Sequence, residues 1–304
     1  MQIKSALPLY VLTADIGGSH ITAAICHMQS HSILEESVAR IEVDSKSSAI
    51  NIIADWKAAF KVVLRKNLVG AVSGLSVAMP GPFDYQNGIS YITGLDKYES
   101  LYGMDIKHHL ADSLQIDHHL VHFRNDAEST IAGEVLKGAG KNHRRVVGIT
   151  LGTGFGSAYS ENSVIKDLNL GNDRYQTSIA DDYFSTRWFL RRYFDLTGSH
   201  LVGGVKELAA LATGNSIARS IFQEFADNLS GFLSAPINRY GPEVLVICGN
   251  IAKASEFFLP HISKKLNPIP VTLAKLGEMA PLIGAAAIFD HPSKFSSLIH
   301  QPIS

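Results

Sequence analysis

The chain has 304 residues, 46% hydrophobic and 18% charged, with a formal net charge of −1. That length suits two domains with sizeable cores, and the near-neutral balance excludes a global field that would draw nucleic acid or an anionic membrane. The two cysteines, Cys26 and Cys248, read as buried thiols of a reducing, cytoplasmic compartment and are too few for a cysteine-rich zinc site.

In chain order, residues 10–16 and 21–26 form a predicted hairpin around Asp15-Ile16-Gly17-Gly18-Ser19, and 32–43 a third strand. Residues 7–14 after Lys4 faintly imitate a signal sequence, but Asp15 and two glycines interrupt them, and no run is long enough to span a bilayer. Apolar residues at helical spacing predict a helix over 49–66, and 72–78 a strand stopped by Met79-Pro80-Gly81-Pro82. A loop over 94–104, a helix over 106–114 and a strand over 120–123 follow. Asn125-Asp126 then opens a helix to about 136, stopped by Gly138 and Gly140. Residues 145–151 and 156–159 form a second hairpin around Thr150-Leu151-Gly152-Thr153-Gly154. Residues 161–178 are polar and irregular, 183–194 an aromatic helix for core or interface, and 216–238 a long helix. A strand over 244–248, a turn at Gly249-Asn250, a helix over 251–265 and one including 283–289 complete the chain. The class is α/β, with domains over 1–124 and 125–304, the last helix being free to pack back on the first.

The repeated strand–turn–strand device is what an internal duplication leaves behind. Glycine turns bring backbone N–H groups close to an anion, so two of them facing across a cleft would clamp a polyphosphate. Asp15 alone reads as a turn-forming residue; the matched second turn favours a carboxylate holding Mg²⁺ against nucleotide phosphates. No Walker-type Gly-x4-Gly-Lys-Ser/Thr occurs, and Gly152–Gly156 leads into a strand where a dinucleotide fingerprint needs a helix. Asp126, at a helix N-terminus, is the candidate general base and Asn125 a hydroxyl ligand, although a simple cap accounts for the pair equally well. Pro80-Gly81 shapes a pocket or makes a plain corner. Gly249-Asn250 offers amides to an adenosine or is an ordinary strand–helix turn. The pairs His108-His109 and His118-His119 lack metal-ligand spacing and read as surface residues.

Taken together, Asp15–Ser19, Pro80-Gly81-Pro82, Asn125-Asp126-Ala127 with Gly133-Glu134, Leu151–Gly156 and Cys248-Gly249-Asn250 resemble the ROK family of sugar kinases and sugar-responsive repressors. The resemblance covers most of residues 8–290. It implies two ribonuclease-H-like domains of the actin-like ATPase superfamily with a cleft between them. It also implies ATP-dependent phosphorylation of a hexose, glucose at its 6-hydroxyl being the first expectation. Asp126 would be catalytic, and Asn125, Pro80, Gly81 and Glu134 substrate-binding. Asp15, Gly17, Gly18, Ser19, Gly152, Thr153, Gly154, Gly249 and Asn250 would bind ATP, with Mg²⁺ at Asp15. Many members carry a Glu-x-Gly-His segment and a cysteine-rich zinc loop after the second turn. Residues 161–183 contain neither, so structural zinc is not expected and the sugar's other hydroxyls need new partners, Asp181 and Asp182 being candidates. Ser19-His20 replaces the usual Ser/Thr-Lys. Alternatives are a kinase for N-acetylmannosamine, mannose or fructose, or a catalytically inactive sugar-binding protein. The family's repressors carry an N-terminal helix-turn-helix, for which a turn at residue 15 leaves no room; nucleic acid and membrane are not expected partners, and the aromatics of 183–194 would suit a homodimer.

Overall fold

In the computed structural model, which describes residues 9–290, two antiparallel hairpins open the chain: β1 (Tyr10–Ile16) with β2 (His20–His27), then β3 (Ser32–Ile33) and β4 (Ala39–Glu42) on β2. The single strand expected over 32–43 is broken in two. The Ser37 hydroxyl accepts from Ile25 N–H at 2.8 Å and donates to Leu34 O, pinching a 3-10 turn (Glu35–Ser37) between the pieces. α1 (Ala49–Arg65) forms because Ile52, Ile53, Trp56, Ala59, Phe60 and Val63 recur on one face, all buried, and the Ser48 side chain caps its start. β5 (Leu75–Met79) follows, then β6 (Phe83–Asp84) paired with β7 (Ile89–Ser90), a small hairpin too short to carry a sequence pattern. α2 (Ile106–Leu114) has its expected bounds. β8 (Val121–Asn125) runs straight into α3 (Asp126–Lys137).

The second half repeats the plan. β9 (Arg145–Leu151), β10 (Phe155–Glu161) and β11 (Val164–Asp167) form a meander, β12 (Arg174–Tyr175) pairs with β13 (Ser178–Ile179), and α4 (Thr186–Thr197), α5 (Val205–Ala212) and α6 (Ser216–Tyr240) follow. β11 lies in the stretch expected to be irregular; it is a mostly exposed edge strand, so no apolar alternation marks it. After β14 (Val244–Cys248), the helix expected over 251–265 is two pieces. A 3-10 segment (Asn250–Phe257) gives way to α7 (Leu259–Lys265), because Pro260 has no N–H to donate back and so must sit in a first turn. β15 (Val271–Leu273), α8 (Met279–Ala286) and a 3-10 turn (Ala287–Asp290) complete the described chain.

The chain divides into two compact units, one reaching as far as Gly133 and resuming at Glu278, the other Glu134–Gly277. The division falls inside α3, and α8 belongs to the first unit. The first unit's sheet has the order β3-β2-β1-β5-β8, with β4 also on β2; the second has β11-β10-β9-β14-β15. In each, the hairpin strands are antiparallel and the last two strands parallel to the first. Residue by residue, β1 and β9 show the same alternation of buried and half-buried positions over seven residues, and β5 and β14 are buried throughout. Each unit thus shows the ribonuclease-H-like plan expected of the fold class, and the chain contains it twice.

Each unit has its own core. In the first, Trp56 and Phe60 pack on Leu12, Ile25, Val77 and Phe123. In the second, Trp188 and Phe189 of α4 join Phe222, Phe225, Leu229 and Leu233 of α6. The aromatic helix is therefore mostly core, with Phe194 left exposed. Each such buried side chain contributes about 1.5–3 kcal/mol. α8 crosses α3 at backbone distance: a β-carbon on Gly284 would overlap Ser129 O, and one on Gly133 would overlap Ala280 O. Among the described residues, no helix is long and apolar enough to cross a membrane.

Candidate active site

The first turn closes where Gly17 N–H donates to His20 O at 2.9 Å. Gly18 and Ser19 are exposed at its tip, and Ser19 Oγ lies 3.2 Å from His20 Nδ1. Behind it, the wholly buried Tyr98 donates its hydroxyl hydrogen to Gly17 O at 2.5 Å and meets Trp56 edge-on. Tyr98 was not among the residues expected at the site; nothing local in a loop so far downstream signals it.

Asp15 is the penultimate residue of β1, opposite Thr22 on β2 and Ala78 on β5. Its carboxyl is pushed up to about 7, first by burial and then by the negative charges of Asp126 and Glu278, against which Arg40 acts. Arg40 itself pairs with Glu278 at 3.2 Å and lies 3.5 Å from His20 Nδ1. Burial foremost, then Arg40, hold the His20 imidazole below its usual pKa. Among the described residues no protein donor hydrogen-bonds the Asp15 carboxylate. An acid whose ionisation is opposed by burial and by the charges of two other acids fits a divalent cation, which would supply the missing positive charge.

At the end of β8, Asn125 lies opposite Met79 of β5. Its Oδ1 accepts from Glu128 N–H at 3.1 Å, capping α3, and its Nδ2 donates to Tyr85 Oη at 3.1 Å. The Tyr85 hydroxyl in turn donates to Met79 O at 3.1 Å. Tyr85, also unforeseen, thus links the Pro80-Gly81-Pro82 loop to the Asn125-Asp126 junction. Pro80 is buried and Gly81 half-buried in that loop. Asp126 Oδ1 accepts from Ala127 N–H at 2.8 Å. Among the described residues no donor reaches its Oδ2. One carboxylate oxygen is thus fixed by backbone and the other is not.

In the second unit, Gly152 N–H donates to Gly154 O at 3.0 Å, leaving Thr153 exposed at the tip. Thr186 anchors this turn from the start of α4, donating to Gly152 O from its N–H at 2.8 Å and its hydroxyl at 3.0 Å. Asp181, considered for sugar binding, has another task. Its Oδ1 accepts from Phe155 N–H at 2.6 Å and its Oδ2 from Arg187 at 2.5 Å, and Arg187 also donates to Thr153 O. Asp182 accepts from the Ser178 hydroxyl. Gly249 has φ +90° and rests on β9 so closely that a β-carbon would overlap Leu151 O; Asn250 follows it into the 3-10 segment. Glycine is required there by both the positive φ and the packing.

Glu134 is a correction to the sequence expectation. Its side chain is fully buried, and its oxygens accept from Ala139 N–H at 2.7 Å, Lys275 N–H at 3.0 and 3.1 Å and Leu276 N–H at 2.8 Å. A carboxylate saturated by three backbone donors ties the end of α3 to residues 275–276 and is not presented to a substrate.

The model of the ROK family matches residues 11–166, more than half of the chain, and spans both glycine turns. The chain belongs to the ROK family. Among the relatives of this ROK protein is an N-acetyl-D-glucosamine kinase of Haemophilus influenzae, 25% identical over 311 residues, covering 90% of this chain and 97% of that one. A glucokinase of Thermotoga maritima is 21% identical over 318 residues, covering 92% and 97%. The crystal structure of a ROK family glucokinase from Streptomyces griseus, in complex with glucose and AMPPNP, superposes with a TM-score of 0.74 at 21% identity, over 92% of this chain and 98% of that one. The likeness runs through both units of the fold.

Proposed function

We propose that this ROK protein is an ATP-dependent sugar kinase that transfers the γ-phosphoryl group to a hexose hydroxyl, the 6-hydroxyl of glucose being the first candidate. The observation that carries the reading is Asp126: a carboxylate at a helix start with Oδ1 held by Ala127 N–H and Oδ2 free. In this role Asp126 Oδ2 accepts the hydroxyl proton as that oxygen attacks phosphorus. Asn125, its amide plane fixed by Glu128 N–H and Tyr85, orients the sugar with the second hydrogen of Nδ2, and the Pro80-Gly81 loop lines the sugar's place. Asp15 would hold Mg²⁺, which when bound neutralises charge on the transferring phosphates. Gly17, Gly18 and Ser19, and likewise Gly152, Thr153, Gly154, Gly249 and Asn250, are the proposed ATP-binding residues, each group within its own unit.

Relatives named for glucose and for N-acetyl-D-glucosamine support a hexose or amino-sugar acceptor. A coupled ADP-release assay over glucose, mannose, fructose, N-acetylglucosamine and N-acetylmannosamine, with wild type and Asp126→Asn, tests the reading. Sugar-dependent ADP release that falls at least about 10²-fold in Asp126→Asn is expected; near-wild-type turnover in the variant removes Asp126 as base. The missing Glu-x-Gly-His segment favours one other reading, a sugar binder without turnover. Sugar-dependent thermal stabilisation with no ADP release for any sugar selects it.

A further inference from the structure

The fold brings His108, from the first histidine pair, against His118 of the second pair. α2 begins at Asp105, whose Oδ1 accepts from His108 N–H at 2.9 Å, and the chain reverses at Gln115 in the left-handed region. Asp117 then caps the 3-10 turn His118–Leu120, its Oδ1 accepting from His119 N–H at 2.9 Å. As a result the rings of His108 and His118 stack with centroids 4.6 Å apart, and those of His118 and His119 lie 3.9 Å apart.

We propose that Asp117, His118 and His119, with His108 beside them, form a surface site for a divalent transition-metal ion of the zinc, nickel or copper class. One ligand atom from each of Asp117, His118 and His119 lies within 4.8 Å of the other two. A tetrahedral site with bonds of about 2.0–2.1 Å needs its ligand atoms about 3.3 Å apart. Asp117 and His119 are exposed and His118 half-exposed, so side-chain rotation closes that gap without moving backbone. Two imidazoles and a carboxylate favour these metals over Mg²⁺, which takes oxygen ligands, so the site is chemically separate from Asp15. The Asp105 carboxylate lies 2.6 Å from His108 Nδ1. A carboxylate on one ring nitrogen is the arrangement that orients a metal-binding imidazole and makes its other nitrogen a better ligand. His108, so oriented, stacks on the His118 ring and borders the site without being one of its three converging ligands. This donor set is unrelated to a cysteine-rich zinc loop and uses none of the residues assigned to phosphoryl transfer.

Isothermal titration of the untagged full-length protein with ZnCl₂ and NiCl₂, in excess Mg²⁺, tests the site. One equivalent bound with micromolar affinity is expected in wild type and in the control His200→Ala. In the folded double variant His118→Ala/His119→Ala, and in Asp117→Asn, affinity should fall at least about tenfold. Wild-type binding no tighter than millimolar, or unchanged affinity in the double variant, overturns the proposal.

Discussion

The Tyr98 hydroxyl donates its hydrogen to the carbonyl oxygen of Gly17 at 2.5 Å, joining the first glycine turn to a loop 81 residues further along. Tyr98→Phe keeps the ring against Trp56 and deletes only the donor. The expected result is about 1 kcal/mol of lost stability and, on the proposed role of the turn in holding phosphates, a KM for ATP raised about 3–10-fold with kcat less affected. Steady-state kinetics at saturating sugar, alongside thermal melts, measure both; an unchanged KM for ATP would detach Tyr98 from the nucleotide.

Asp15 carries a pH signature. Its pKa rises from 3.8 to about 7 on folding, chiefly by burial. The folded chain then binds this proton more tightly than the unfolded chain, so stability falls as pH climbs from about 4 to 7, and the full cost is present above that. Asp15→Asn should therefore raise the melting temperature of the unliganded protein by a few degrees at pH 8 and change it little at pH 4. It should also lower Mg²⁺-dependent turnover at least about 10²-fold. A variant less stable than wild type at pH 8 would contradict the assignment of Asp15 as a charge held at a cost for a cation.

Tyr85 accepts from Asn125 Nδ2 and donates to Met79 O, each at 3.1 Å. Tyr85→Phe leaves Asn125 free to rotate about its capping bond. The sugar KM should rise about tenfold while the KM for ATP stays near wild type. An equal change in both constants would point to a general loss of structure.

Gly249→Ala sets a β-carbon into the Leu151 carbonyl oxygen at φ +90°. The loss should be about 3 kcal/mol or more, combining backbone strain with overpacking. Urea unfolding followed at Trp188, in the second unit's core, reads it; a loss under about 1 kcal/mol would mean that β14 and β9 separate easily.

Several of these relationships were visible in sequence and others were not. Both glycine turns, α2, β14 and the β8–α3 junction follow from apolar periodicity meeting a glycine or an Asn-Asp cap, signals that act over a few residues. The misreadings share a different origin. Pro260 splits a helix whose apolar spacing continues across it, and Val164 begins an edge strand that buries almost nothing. Glu134 follows Gly133 inside a family motif, yet its donors at Lys275 and Leu276 lie 141 and 142 residues away. Tyr85, Tyr98, Arg40 and Glu278 likewise act through partners that only the folded chain supplies.

The matched burial of β1 and β9 sets Asp15 level with Thr150, each next to last in its strand. One copy of an inherited plan keeps an acid where its twin keeps a neutral hydroxyl, so the two halves are not interchangeable. At this one place, the lip of a strand, the repeated scaffold is chemically asymmetric. The half that bears Asp15 holds that charge at a cost, and the matching place in its twin carries none.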